Sequence, residues 1–196
     1  MGIDALMAAL PDYAKDIRLN LGSVIDDSLL TEQQLWGTLL ASAIAARSAV
    51  VIREVGADAV LHLGAEALQA AKAAASIMAM SNVFYRAKDL IGDEAYLSLP
   101  ARLRMTAVGR PGVDRVDFKL WCLGVSAVHG CGVCLSSHSA AVVAAGIAVE
   151  VAHEVFRVAA VVHAVAVTVD GEAALGSTLG VGDPGMGHPQ PPSWSR

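Results

Sequence analysis

The segment from Ala65 to Met80 most constrains the fold, because it is rich in alanine and has almost no turn-forming residues. Alanine has the highest intrinsic helix propensity, so this segment predicts a long helix. Apolar residues make up 55% of the chain and aromatic residues only 5%, with alanine and valine dominant. Small side chains let helices pack closely against one another. We therefore predict an all-α fold.

Capping residues and apolar spacing predict the other helices. Thr31 and Gln34 form a capping-box pattern, and Asp114 is placed to cap a later helix that Gly130 ends. Turn-forming residues at Pro100 and at 110–112 interrupt the middle of the chain. Besides Ala65 to Met80, the predicted helices are Glu32 to Arg47, a helix capped by Ser48 that runs through Val60, Arg115 to about Val128, a helix from Cys131 to Gly146, and Val149 to Val169.

A chain of 196 residues favours a single domain, which we place at residues 1–175. Glycine and proline recur in residues 176–196, a composition typical of a disordered tail. An approximate repeat of 85 residues superposes Leu35-Trp36 on Leu120-Trp121. It predicts an internally duplicated helical fold with units at about 31–88 and 115–170.

The formal net charge of -5 is mild, and the Lys and Arg residues are scattered, which excludes a nucleic-acid backbone as partner. The segment from Met1 to Leu10 lacks the basic region and long apolar core of a signal peptide, so a cytoplasmic protein is expected. Val155 to Val169 is apolar but is interrupted by Arg157 and His163, and it is too short to span a bilayer. We predict a buried core helix there, with His163 as a core histidine, and no membrane partner.

The most informative motif is Gly130-Cys131-Gly132-Val133-Cys134. Its glycines allow a sharp turn into a helix, with Cys131 near the N-cap and Cys134 in the first turn. The positive end of a helix favours a thiolate over a thiol. Cysteines three residues apart at a helix start can also form a disulfide. The motif predicts a thiol–disulfide redox centre.

Four other residues bear on this centre or on an alternative to it. His138 lies four residues after Cys134 on the same helical face, where it can accept the thiol proton, although it could be an ordinary surface histidine. Cys122 is expected to pack as a small buried hydrophobe. The CxxC could also be half of a zinc site, but no second CxxC is present and His129 or His153 would have to be recruited by folding. We predict no metal.

The motifs of both halves resemble the alkyl hydroperoxidase AhpD family, within the carboxymuconolactone decarboxylase superfamily. The resemblance covers about residues 3 to 170 and depends on the order and spacing of several motifs. These are Leu35-Trp36-Gly37-Thr38-Leu39-Leu40-Ala41, Met80-Ser81-Asn82-Val83-Phe84-Tyr85-Arg86, Phe118-Lys119-Leu120-Trp121, Val125-Ser126-Ala127, and Gly130-Cys131-x-x-Cys134-x-x-x-His138.

The resemblance implies an all-α homotrimer that reduces alkyl hydroperoxides and hydrogen peroxide with no bound cofactor. It implies that Cys134 is the peroxidatic thiol, that Cys131 resolves its sulfenic acid as a disulfide, and that His138 relays the proton. The implied electron donor is dihydrolipoamide, carried on a dihydrolipoyl acyltransferase and replenished by lipoamide dehydrogenase with NADH. The peroxiredoxin AhpC is a further implied partner.

Two positions depart from the family pattern. The family has a glutamate at the distal end of the proton relay where this chain has Lys119, and some members have a histidine where this chain has Val133. Lys119 could instead hold the thiolate by charge attraction, or Asp117 could approach, although its spacing from Lys119 places it on another helix face. His129 could substitute in the relay or could simply cap a helix.

Three hypotheses follow from the sequence. The first is a lipoyl-dependent hydroperoxide reductase. The second, motivated by Lys119, is a thiol–disulfide adaptor that supports a peroxiredoxin and has weak or no peroxidase activity of its own. The third is a structural or zinc-binding helical protein. A decarboxylase of the same superfamily is disfavoured, because those enzymes do not need a redox CxxC.

Overall fold

The computed structural model describes residues 1–178, and the side chains of residues 1–176. In this part of the chain there are ten α-helices, one 3₁₀ turn at Asp12–Ala14 and no strand, so the predicted all-α fold is confirmed. The helices are α1 Ile3–Ala9, α2 Lys15–Asp26, α3 Glu32–Ala46, α4 Ala49–His62, α5 Ala65–Ile91, α6 Glu94–Leu97, α7 Thr106–Gly109, α8 Arg115–His129, α9 Gly132–Ala144 and α10 Val149–Thr178.

The core lies between α3, α5, α8 and α10, where α3 and α8 contact each other and each contacts both α5 and α10. Their buried faces are mostly alanine, valine and leucine, as the composition predicts. The closest approach is between α3 and α8, where the Trp121 indole lies against Gly37 and its Nε1–H donates to the Gln34 carbonyl at 3.2 Å. A Cβ at position 37 would clash with the indole ring, so only glycine allows this contact.

The outer helices lie on this core in two matching pairs. Helix α4 packs on α3 and is contacted by α10, while α9 packs on α8 and is contacted by α5. Both turns that lead into these outer helices contain a residue in the left-handed region, Arg47 with φ of 67° and Gly130 with φ of 64°. Ser48 and Cys131 follow directly as the N-caps of α4 and α9.

We call α3 and α4 the first helix set and α8 and α9 the second. The N-caps of α3 and α8, Thr31 and Asp114, are 83 positions apart, and so are the N-caps of α4 and α9, Ser48 and Cys131. The sequence repeat of 85 residues therefore differs from the structural register by two. The difference arises because Trp36 and Trp121 do not occupy equivalent positions. Trp36 stacks on His62 of α4 at 4.2 Å between ring centroids, whereas Trp121 lies against α3. Gene duplication itself stays a prediction.

Two predicted helices are longer than expected. Helix α5 continues past Met80 to Ile91, because nothing between them breaks a helix before Gly92 adopts φ of 64°. Helix α10 continues past Val169 to Thr178, so residues 176–178 of the predicted tail are helical. The rest of that tail, residues 179–196, lies outside the described residues. The sequence patterns do not predict α1, α2, α6 or α7.

Helix α10 is the one described helix that is long and apolar enough to cross a membrane, over Val149–Gly176. Length and composition alone also fit the core helix of a globular fold. Here α10 packs against α2, α3 and α8, and Val155, Val158 and Val162 are almost fully buried. His163 is exposed on this helix, so its prediction as a core histidine is wrong. The helical period places it to the side of the face that those valines share.

Candidate functional site

The turn from α8 to α9 positions the two cysteines. Gly130 reverses the chain in a left-handed conformation, and the Cys131 N–H donates to the Ser126 carbonyl at 3.1 Å. Cys131 is then the N-cap of α9, and Cys134 lies in its first turn. Their Cα atoms are 5.3 Å apart, and the sulfur atoms lie at disulfide-bonding distance. The turn and the spacing of three residues at a helix start therefore bring the pair together.

The two sulfur-bearing residues differ in access. Cys131 is fully buried, whereas Cys134 keeps 6% of its surface and lines a pocket of about 370 Å³. The pocket lies between α5, α9 and the segment that contains α7. Its lining is largely apolar and consists of Met78, Ser81, Tyr85, Met105, Val108, Val133, Cys134, Ser137 and His138. A molecule that enters this pocket meets Cys134, while Cys131 lies behind it.

His138 lines the same pocket one helical turn after Cys134. Burial lowers the pKa of its imidazole, and the nearby positive charge of Lys119 lowers this pKa further. The imidazole is therefore neutral near pH 7 and can accept a proton. Lys119 is half-buried on α8 and its charge acts on His138, so the position of the family's glutamate does face the site.

Asp117 does not belong to this site. Its buried carboxylate accepts hydrogen bonds from Gln33 Nε2 at 2.6 Å and Gln34 Nε2 at 2.8 Å, both on α3. The two-residue spacing from Lys119 predicted that it would face elsewhere, and the structure agrees. Asp117 thus connects α8 to α3 and has no role in proton transfer at His138.

His129 also stays outside the pocket lining. Its Nδ1 is 3.1 Å from Asn82 Nδ2, and its carbonyl accepts a hydrogen bond from the Arg86 guanidinium. Burial lowers the pKa of this imidazole. The charges of Arg47 and Arg86 lower it as well, against an opposing effect of the Ala45 carbonyl. His129 is therefore a neutral residue held at the end of α8, and the prediction that it could replace the relay is not supported by its position.

The remaining predicted positions are structural or peripheral. Cys122 is fully buried, and burial raises the pKa of its thiol to about 12, which makes it an inert hydrophobe as expected. In residues 1–176 no three His, Cys, Asp or Glu side chains lie close enough together to hold a metal ion. Val133 is partly exposed and forms one wall of the pocket.

Sequence reasoning missed the other walls of the pocket and the partners of His129. Met78, Tyr85 and Met105 reach the pocket from α5 and from the segment between α6 and α7. Asn82 lies in the 80–86 motif of the family resemblance, but the motif does not indicate a role for it. No signal in a single sequence indicates which residues of α5 face α9.

Comparisons with known proteins identify the family of this chain. The model of the carboxymuconolactone decarboxylase family matches residues 94–175, which contain the α8–α9 turn and the pocket-lining residues of α9. This match includes α8 and α9 but does not extend to α3 or α4. Much longer similarities extend over both helix sets.

The alkyl hydroperoxide reductase AhpD of Streptomyces coelicolor is 55% identical over 175 residues, which cover 89% of this chain and 98% of the relative. The AhpD of Streptomyces avermitilis is 56% identical and is covered to 99%. The AhpD of Rhodospirillum centenum is 52% identical and is covered to 94%. The chain belongs to the AhpD family.

Proposed function

We propose that this chain is an antioxidant peroxidase that reduces alkyl hydroperoxides and hydrogen peroxide at Cys134. The observation that carries the proposal is that Cys134 and His138 line one apolar pocket, with Cys131 directly behind at disulfide-bonding distance. The names of the AhpD relatives support the same activity. No bound cofactor is required for this chemistry.

The reaction proceeds in two steps. The Cys134 thiolate attacks the terminal peroxide oxygen, the O–O bond breaks, and the alcohol leaves after taking up a proton, while Cys134 becomes a sulfenic acid. The Cys131 thiolate then attacks the Cys134 sulfur, and the sulfenic oxygen leaves as water as the disulfide forms. The neutral imidazole of His138 takes the thiol proton in the first step and returns it to the leaving oxygen.

Lys119 acts in place of the family's glutamate in this proposal. Its ammonium favours the thiolate form of Cys134 by charge attraction and keeps His138 neutral. The N-terminal N–H groups of α9 favour the thiolate as well, because Cys131 supplies no side-chain cap to occupy them. The proton relay is then shorter than the one implied by the family pattern and ends at His138.

We further propose that dihydrolipoamide restores the dithiol. The donor would be carried on a dihydrolipoyl acyltransferase and recycled by lipoamide dehydrogenase with NADH in the cytoplasm, and the peroxiredoxin AhpC would be a second partner. A slender dithiol arm can enter a pocket of about 370 Å³ that a globular partner cannot. Because only Cys134 reaches this pocket, the arm would attack the Cys134 sulfur and release Cys131.

A homotrimer is part of the proposal. The end of α5 and the segment after it project from the core and expose large apolar side chains, namely Val83, Leu90, Ile91, Tyr96, Leu97 and Leu99. Exposed large apolar side chains concentrated in one segment are typical of an interface between subunits. Sedimentation of the wild type and of Leu90→Glu would test this, with a shift to a smaller species expected for the variant.

A second candidate function is a thiol–disulfide adaptor that supplies electrons to a peroxiredoxin and reacts poorly with peroxide itself. The observation that favours it is the position of Lys119, which places a positive charge near His138 where the family has a carboxylate. A proton delivered along the usual relay has no carboxylate source at this position.

The deciding experiment follows NADH oxidation with tert-butyl hydroperoxide, lipoamide and lipoamide dehydrogenase. We expect turnover by the wild type, none by Cys134→Ser, and wild-type turnover by Cys122→Ser, a matched control at a buried thiol. Turnover by Cys134→Ser would disprove the proposed mechanism. Peroxide consumption that begins only when a peroxiredoxin is added would favour the adaptor instead.

A further inference from the structure

A cluster of buried polar side chains behind the redox pair has no role in the proposed reaction. It joins Asn82 on α5 to Ser126 and His129 on the last turn of α8. Asn82 and Ser126 are fully buried. None of the three residues lines the pocket, so the cluster cannot touch a substrate there.

Asn82 uses both ends of its amide on this turn. Its Nδ2 lies 3.1 Å from His129 Nδ1 and donates to the Val125 carbonyl at 3.4 Å. Its Oδ1 accepts from the Ser126 hydroxyl at 3.2 Å. Since an amide nitrogen can only donate, His129 Nδ1 must be the acceptor, and the ring is the neutral Nε2–H tautomer.

The same turn holds Cys131 in place. The Ser126 carbonyl accepts the Cys131 N–H at 3.1 Å, and the Arg86 guanidinium, also from α5, donates to the His129 carbonyl. The position of Cys131 therefore depends on the last turn of α8. Side chains of α5 hold this turn through hydrogen bonds to both its side chains and its backbone. Hydrogen bonds between buried polar groups favour one arrangement of the segments that carry them.

We propose that Asn82 and His129 are positioning residues that set the redox equilibrium of the Cys131–Cys134 pair. Because they hold Cys131 at the N-cap of α9, the two thiols stay close together after reduction, which favours the disulfide. Loosening the turn lets the reduced sulfurs separate and makes the disulfide easier to reduce. This inference depends on the proposed function insofar as the pair must be a redox centre.

The test measures the equilibrium of the purified full chain with reduced and oxidised dithiothreitol, which gives two electrons and two protons to the disulfide. For Asn82→Ala and His129→Leu we expect the equilibrium constant to move at least about threefold toward the dithiol, a change of roughly 15 mV. His129→Gln keeps an acceptor for Asn82 and should return to the wild-type value. In the wild type, the imidazole nitrogens should show the Nε2–H tautomer by NMR.

Glu154→Ala is the matched control, because Glu154 is also buried and hydrogen-bonded, to Arg157 on its own helix. It should lower the free energy of unfolding without moving the redox equilibrium. The inference is overturned if Asn82→Ala and His129→Leu leave the equilibrium constant unchanged, or if Glu154→Ala moves it equally. A wild-type pair that does not exchange with dithiothreitol at all would instead remove the proposed function.

Discussion

The two turns that begin α4 and α9 have the same backbone but different chemistry. Each has a left-handed residue, Arg47 or Gly130, followed by an N-cap. In the first turn the cap is Ser48, whose hydroxyl accepts from the Val51 N–H and donates to Asp170 of α10 at 2.7 Å. In the second turn the cap is Cys131, which makes no side-chain cap.

The difference extends along the outer helices. Counting from the caps, Val51 and Val55 occupy the positions of Cys134 and His138, and both valines are almost fully buried. Helix α10 covers the first turn, whereas α5 leaves a pocket beside the second. The comparison teaches that the same turn geometry can serve either to anchor a helix, as at Ser48, or to hold a redox pair, as at Cys131. Chemistry requires in addition an open pocket and unoccupied N–H groups at the helix start.

The largest expected effect is that of Cys131→Ser, which makes the second turn resemble the first at its cap. Cys134 can still be oxidised once to the sulfenic acid, but no disulfide follows, so turnover should fall at least about a hundredfold. Coupled NADH oxidation measures the loss, and dimedone labelling detects the trapped sulfenic acid. Ser48→Ala should keep full turnover. Equal losses of turnover in Cys131→Ser and Ser48→Ala would contradict the functional difference between the two turns.

Lys119→Glu should change the pH dependence of the reaction of Cys134 with peroxide. The lysine lowers the pKa of His138, so its replacement by a carboxylate raises that pKa and moves the acidic limb of the rate profile to higher pH. In single-turnover oxidation by peroxide near pH 6, we expect the rate to be about threefold to tenfold lower than that of the wild type. Lys72→Glu makes the same charge change on an exposed face and should leave the profile in place.

Ser48→Ala should weaken the fold rather than the reaction. It removes the cap of α4 and the hydrogen bond to Asp170, which should cost about 1 kcal/mol in the free energy of unfolding. Urea titration measures this change. Ser76→Ala removes an exposed bond within α5 and serves as the control, with no measurable loss expected. A Ser48→Ala protein as stable as the wild type would show that the first turn needs no anchor.

The smallest expected effect is a loss of stability between pH 7.5 and 5.5 that the two histidines of the second turn cause. His129 and His138 have lowered pKa values in the folded chain, while the first turn has Ala46 and Val55 in their places. Below about pH 6.5 the unfolded chain binds protons before the folded chain does, so stability falls as the pH falls. His138→Val, which copies Val55, should reduce this dependence in urea titrations at pH 7.5 and 5.5.

Local signals explain why much of the fold was predictable. The capping box at Thr31, the cap at Asp114 and the glycine at 130 each act within one turn, so α3 and α8 begin and end close to the predicted residues. The proximity of Cys131 and Cys134 follows from their spacing at a helix start, again a local effect.

Contacts between distant segments explain what the sequence did not predict. Met105 reaches the pocket from an irregular segment, and Asn82 meets His129 across 47 positions, so neither contact has a periodic signature. The spacing of 83 residues between equivalent N-caps could not be read from the sequence, because aligning Trp36 with Trp121 gives 85 and the two tryptophans pack against different partners. The extension of α5 shows the limit of composition, because residues 81–91 contain a single alanine, Ala87, but remain helical.

The burial of Cys131 also limits how copies of this protein can be covalently joined. The chain has three cysteines, but Cys122 and Cys131 have no exposed surface and only Cys134 reaches a pocket. In the terms of polymer chemistry, the folded chain has a functionality of one. Oxidative stress can therefore cap it with a small thiol or join it to a single other chain, but cannot link folded copies into a network.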